Sequence, residues 1–123
     1  MKTTSRPVLH GLHHVTAVTA HAQANLDFYT RDLGMRLVKK TVNQDDVSAY
    51  HLFYADAVGS AGSDLTFFDW AQIRPVRIGA GTVSETGLRV LGGEKSLERW
   101  DQWFNQRNIR HGEARPIRFQ PIG

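Results

Sequence analysis

Polar and apolar positions alternate with period two through Leu12–Thr19. Leu12, His14, Thr16 and Val18 share one face of the implied strand, and His13, Val15, Ala17 and Thr19 share the other. This predicts a strand from Leu9 to Val18, behind a loose leader over residues 1–8. The period then changes. Ala22, Leu26, Tyr29 and Leu33 fall at i, i+4, i+7 and i+11, an apolar helical stripe that Phe28 widens. Gly34 stands where a left-handed C-cap is wanted, so the helix is expected to end at Asp32 or Leu33. Alternation returns in Met35–Val42, a strand with one wet face, followed by a turn at Asn43–Asp46. Two further strands are expected at Ala49–Ala55 and Asp64–Trp70, joined by the loop Asp56–Gly62 with its turn glycines Gly59 and Gly62. The order is strand, helix, then three strands.

A second pass of the same pattern follows the loop Ala71–Gly81. Thr82–Val90 is a strand candidate interrupted by Gly87, and Gly92-Gly93 is a break. Ser96 fits an N-cap with Glu98 in the first turn, and Leu97, Trp100, Phe104 and Arg107 carry the helical rhythm, with Asn108 near the C-cap. About seventy residues separate the two helix starts, the spacing of a diverged internal repeat. The second copy is unfinished. Beyond Ile109 only the basic, proline-punctuated stretch Arg115–Pro121 remains, enough for one strand where the first copy has three. The expected fold class is therefore α+β, with a first module over residues 9–70 and a second, truncated module of the same domain over residues 79–123. An unfinished sheet leaves backbone donors and acceptors that another chain, such as a second copy in a homodimer, or further sequence has to cover.

Composition narrows the functional classes. A 41% hydrophobic fraction in 123 residues supports a folded domain, and no run approaches the ~18 apolar residues of a membrane span. The N-terminal Met1–Pro7 has no apolar core, so it does not read as a signal peptide, and a cytoplasmic location is expected. With no cysteine in the chain, a metal would have to use His, Asp, Glu or water. The net charge of +3 comes from scattered basic residues. The densest cluster, Arg107, Arg110, Arg115 and Arg118, is interrupted by Glu113 and reads as a solvated surface, not a nucleic-acid site.

The candidate chemistry sits on the first strand. A strand that served only a core would carry Val, Ile or Leu where His14 and Thr16 stand. Imidazole is the commonest metal ligand and the usual acid/base near neutral pH, although paired histidines also occur as half-exposed strand residues. His51 reads as a packed or hydrogen-bonded structural residue, and His10, His21 and His111 as surface or loop groups. Tyr54, Phe67, Phe68 and Trp70 are core or cleft wall before they are a platform for stacking a substrate.

Three motifs in order carry a resemblance: Gly11–Thr16 (GLHHVT), Asn25–Tyr29 (NLDFY) and Leu33–Asn43 (LGMRLVKKTVN). The chain resembles the vicinal oxygen chelate (glyoxalase/bleomycin resistance/dioxygenase) superfamily, and within it the ring-cleaving dioxygenases of the hydroquinone type. Tyr50–Asp56, Gly59–Gly62 and Leu65–Phe68 continue the match, which is strong over Leu9–Trp70 and fair over Gly79–Gly112.

The resemblance implies βαβββ modules that form a cupped mixed sheet around a divalent metal, Fe(II) or in some members Mn(II). Two histidines and a glutamate hold the metal, leaving positions for substrate and dioxygen. By its motif position His14 matches the first metal ligand, while His13 and Thr16 match residues that line the pocket and serve the reaction. On an ideal strand His13 points away from His14, so that role calls for a twist or bulge. The other His and the Glu of such enzymes come from a later half, and no counterpart is identifiable here, so the resemblance is to the N-terminal half alone. Two readings follow: part of a dioxygenase acting on a small dihydroxylated aromatic, incomplete as a catalyst by itself, or a non-catalytic homodimer that binds a small aromatic or drug-like ligand.

Overall fold

The computed structural model describes residues 6–42 and 49–114. The predicted turn at Asn43–Asp46 and the tail strand within Arg115–Pro121 lie outside them. In chain order the elements are β1 (His14–Thr19), α1 (Ala22–Asp27, continued by a π-helical turn over Phe28–Asp32), β2 (Arg36–Val42), β3 (Tyr50–Ala55), β4 (Asp64–Asp69) and α2 (Gly93–Gln106). The chain divides after Pro75 into two units.

In the first unit the strands form one mixed sheet in the order β1-β4-β3-β2. β4 runs parallel to β1 and antiparallel to β3, which is antiparallel to β2. This is the open sheet of a βαβββ module, as expected. The pairing register sorts side chains between the two faces. Tyr54 opposite Leu65 and Leu52 opposite Phe67 put four large apolar groups on one side. All four are buried, and Ala22, Leu26 and Tyr29 of the helical segment pack on them together with Met35 and Leu37. Burial of each such side chain contributes roughly 1.5–3 kcal/mol, so this face holds the first unit together.

A bulge in β2 decides which of its residues join the core. Leu37 pairs with Tyr54 and Lys39 with Phe53, so Val38 has no partner in the ladder. Strict alternation would leave Leu37, Lys39 and Thr41 on one face. The extra residue lets Leu37 turn to the helix side while Lys39 and Thr41 turn to the other.

The predicted first helix is present, with an irregularity the apolar stripe did not announce. After Asp27 the hydrogen bonding widens by one residue, and Leu33 N–H reaches the Phe28 carbonyl at 2.9 Å. The Thr30 hydroxyl donates to the Leu26 carbonyl at 2.7 Å, the kind of side-chain insertion that accompanies such turns. Gly34 then takes φ +69°, the left-handed conformation its sequence position called for.

The first strand is shorter than predicted. It begins at His14, not Leu9, because β4 begins at Asp64 and His14–Asp64 is the first parallel pair. Upstream of it, the His13 carbonyl accepts a bond from Gly62 N–H at 2.8 Å.

The second unit corrects two expectations. Thr82–Val90 is not a strand: Thr82–Arg89 are exposed and pair with nothing in a ladder among the described residues. A lone extended segment has no ladder to satisfy its backbone groups, and Gly87 weakens it further. The helix also begins earlier than Ser96. Gly92, left-handed at φ 102°, is the N-cap, and Glu94 takes the place in the first turn expected for Glu98. At its other end Ile109 N–H bonds the Phe104 carbonyl and Asn108 N–H the Asn105 carbonyl. Asn108 is left-handed at φ 53°. These are the two bonds of a Schellman stop, with Asn in the glycine position. No helix among the described residues is long and apolar enough to cross a membrane.

Candidate functional site on the open sheet face

The face of the sheet opposite α1 is where the chemistry-bearing residues meet. The register carries His14, Thr16 and Val18 of β1 across to Asp64, Thr66 and Phe68 of β4, then to His51 and Phe53 of β3 and to Lys39 and Thr41 of β2. Parity alone therefore collects two histidines, three threonines, an acid and two phenylalanines on one surface.

His13 and His14 occupy one corner of it. Because β1 starts at His14, His13 lies outside the ladder and is not bound by strand alternation. Its ring meets that of His14 edge to face, with centroids 5.4 Å apart and the two Nδ1 atoms 3.2 Å apart. One imidazole donates and the other accepts, which orients both rings. His13 Nδ1 also stands 3.9 Å from Asp64 Oδ2. The end of the strand, and not a twist or bulge within it, lets the His13 ring lie against that of His14. Both histidines are exposed.

Thr16 is exposed on the same face, and its hydroxyl accepts from Thr66 Oγ1 at 2.8 Å. Thr66 is fully buried and also lies 2.9 Å from His51 Nε2. His51 is therefore hydrogen-bonded, as its sequence reading held, and it is packed on both sides. The Phe68 ring stacks 4.0 Å away and the Phe53 ring lies tilted at 4.1 Å. Desolvation in this aromatic slot, then the nearby charges of His14 and Lys39, push the His51 pKa below the usual imidazole value.

The aromatic residues separate by face. Tyr54 and Phe67 are core: Tyr54 stacks on Tyr29 under the helix, and Phe67 lies tilted against the same ring. Phe68 and Trp70 stack with centroids 6.0 Å apart and extend the His51 column toward the edge of the face. Sequence reasoning did not single out Thr66, Phe53 or Asp64. The signal for Thr66 was a lone hydroxyl within Leu65–Phe68, in phase with Asp64 and Phe68.

A metal would find a partial donor set here. His14 is accessible and shares its corner with His13 and Asp64, yet no group of three His, Cys, Asp or Glu side chains able to hold a cation comes together among the described residues. The residues present do not by themselves make a metal centre. The other histidines stand elsewhere. His10 and His21 are exposed. His111, in the second unit, bonds Asp101 and the Ile109 carbonyl beside α2.

Comparison with known proteins gives a consistent picture. The family description "Glyoxalase/Bleomycin resistance protein/Dioxygenase superfamily" matches residues 11–86. MhqA of Bacillus subtilis, which carries ring-cleaving dioxygenase in its name, is 48% identical over 103 residues, covering 84% of this chain and 32% of that protein. Chlorohydroquinone/hydroquinone 1,2-dioxygenase of Sphingobium indicum is 34% identical over 107 residues, covering 85% of this chain and 33% of that protein. A crystal structure titled as a dioxygenase from B. subtilis superposes with a TM-score of 0.72 at 35% identity, over 87% of this chain and 34% of that one. The chain spans about a third of the length of the relatives it matches.

Proposed function

Because this chain belongs to the Glyoxalase/Bleomycin resistance protein/Dioxygenase superfamily, we propose that it is the N-terminal part of a ring-cleaving dioxygenase acting on dihydroxylated aromatics in the cytoplasm. The observation that carries the reading is the open face itself: His14, paired with His13, and Thr16 share it with a column formed by His51, Phe68 and Trp70. A small aromatic diol has matching parts, a flat ring to lie along the aromatic side chains and hydroxyl oxygens to meet imidazole and threonine.

In this reading His14 is one ligand of a divalent cation, Fe(II) or Mn(II), and protein beyond this chain supplies the remaining donors. A single imidazole does not hold such an ion tightly. The chain's own share of the work is to bind and orient. The aromatic column positions the ring, Thr16 contacts a substrate hydroxyl, and His13, whose Nδ1 is paired with His14, accepts or returns a proton at Nε2 near that hydroxyl. Isolated, the chain is expected to bind hydroquinone weakly and not to open it.

A hydroquinone titration followed by backbone and imidazole NMR signals tests this. Shifts grouped on His13, His14, Thr16, Phe68 and Trp70 are expected, without ring-opened product. Shifts on the helix side, or none at millimolar hydroquinone, would contradict the reading.

A second reading keeps the ligand and drops the chemistry. The aromatic column, with no three-donor cluster among the described residues, also suits a homodimer that sequesters a small aromatic compound, each copy covering the other's free β1 edge. Its mark would be concentration-dependent dimerisation with tight binding of phenols that lack a second hydroxyl.

A further inference from the structure

Thr66 has one hydroxyl proton and two neighbours within bonding distance, His51 Nε2 at 2.9 Å and Thr16 Oγ1 at 2.8 Å. One proton cannot serve both, so the three groups form a chain with a direction. If Thr66 donates to Thr16, His51 Nε2 must carry a hydrogen and donate to Thr66. Thr16 then keeps its own proton for a partner outside the protein. If the chain runs the other way, the Thr16 proton is directed at Thr66, and Thr16 meets a ligand only as an acceptor.

We propose that His51 is a positioning residue that, through the buried hydroxyl of Thr66, sets Thr16 as a hydrogen-bond donor toward a ligand oxygen beside His14. The proposal rests on the reading of this face as an aromatic-diol site. Two observations hold the three groups in line. The Phe53 and Phe68 rings hold the imidazole on both sides, which keeps Nε2 on Thr66. Thr66 is fully buried, so water does not replace either partner. Neutral His51 with its hydrogen on Nε2 and the doubly protonated ring both donate, and only the Nδ1–H tautomer reverses the chain. A donor fixed at Thr16 favours an oxygen with negative charge, as in a phenolate or an ionised diol, over an ether or a neutral carbonyl.

Nitrogen-15 NMR of the whole chain reads the direction in the absence of any ligand. The Nε2–H tautomer of His51 is expected, and a dominant Nδ1–H tautomer overturns the proposal. Hydroquinone titrations of four variants then read the consequence. Thr66→Val keeps the shape of the buried side chain, His51→Phe keeps the aromatic packing, His51→Gln can still offer an N–H, and His51→Phe/Thr66→Val removes both links. Each of the first two is expected to weaken binding about tenfold. The double variant is expected to lose no more than either single one, because both cut the same chain. Partial recovery is expected in His51→Gln. Binding unchanged in Thr66→Val, or losses that add in the double variant, overturns the relay. Should His51→Phe fail to fold, Thr66→Val and His51→Gln carry the same comparison. If the wild-type chain binds no hydroquinone, the diol reading has failed, and the tautomer still decides the direction of the chain.

Discussion

The Tyr54 phenol donates to Asn25 Oδ1 at 2.8 Å, joining the C-terminal end of β3 to the first helix across the core. Tyr54 is fully buried. Burial, with the Tyr29 phenol beside it, pushes its pKa up to about 12. Tyr54→Phe removes the bond and keeps the stacking on Tyr29. A loss of about 1 kcal/mol in urea unfolding is expected, with an unchanged dependence on denaturant. Burial raises the Tyr29 phenol as well, so in an ultraviolet titration the tyrosine ionising near pH 12 should be absent from the variant while Tyr29 still titrates above the usual phenol range.

Gly62 fixes where the first strand begins. It is left-handed at φ +86°, its N–H bonds the His13 carbonyl at 2.8 Å, and an added Cβ would lie 3.2 Å from the Leu12 carbonyl oxygen. Gly62→Ala is therefore expected to destabilise by roughly 1–2 kcal/mol. It should also shift the ring signals of His13 and His14 while leaving those of Tyr54 and Phe67 in place. Equal disturbance of both faces would show that the loop does not act through β1.

His51 makes stability depend on pH with a definite sign. Its folded pKa lies below the unfolded value, through burial first and the charges of His14 and Lys39 second. The folded state thus binds fewer protons there. The stabilisation is complete above the unfolded imidazole value of about 6.5 and is lost as pH falls through the folded value. Denaturant unfolding between pH 7.5 and 5 should show a smaller decline for His51→Gln than for the wild type. A His51 ring signal titrating at or above pH 6.5 would contradict the cause given.

The periodicity of the chain carried most of the first unit. Helix and strands stand where the 3.6- and 2-residue rhythms of Ala22–Leu33, Met35–Val42, Ala49–Ala55 and Asp64–Trp70 put them, to within a residue or two. What periodicity lacks is the partner. The stretch Leu9–His13 has the composition of a strand but runs past the end of β4. Thr82–Val90 has the same composition and no neighbouring strand in the described ladder. The bulge at Val38 escaped for a related reason, since an extra residue is visible only against the opposite strand. Gly92 was expected as a break, and it became the N-cap because its left-handed backbone starts α2 three residues before the first good capping side chain.

The site was legible in part. His14 and Thr16 stood out as polar residues on an otherwise apolar strand face. The link between Thr16 and His51 was not legible, because it passes through Thr66, fifty residues further along the chain, and exists only once β1 and β4 pair.

The most direct measurement is a Mn(II) titration of the chain by NMR, comparing the wild type with His14→Ala. A weakly held paramagnetic ion broadens the signals nearest to it, so the method does not need a complete set of ligands. Broadening that begins at His14, His13, Thr16 and Asp64, and that is lost in a folded His14→Ala chain, is the predicted result. Broadening centred on another part of the chain, or unchanged by the substitution, would contradict the assignment of this face as the metal and substrate end of a dioxygenase.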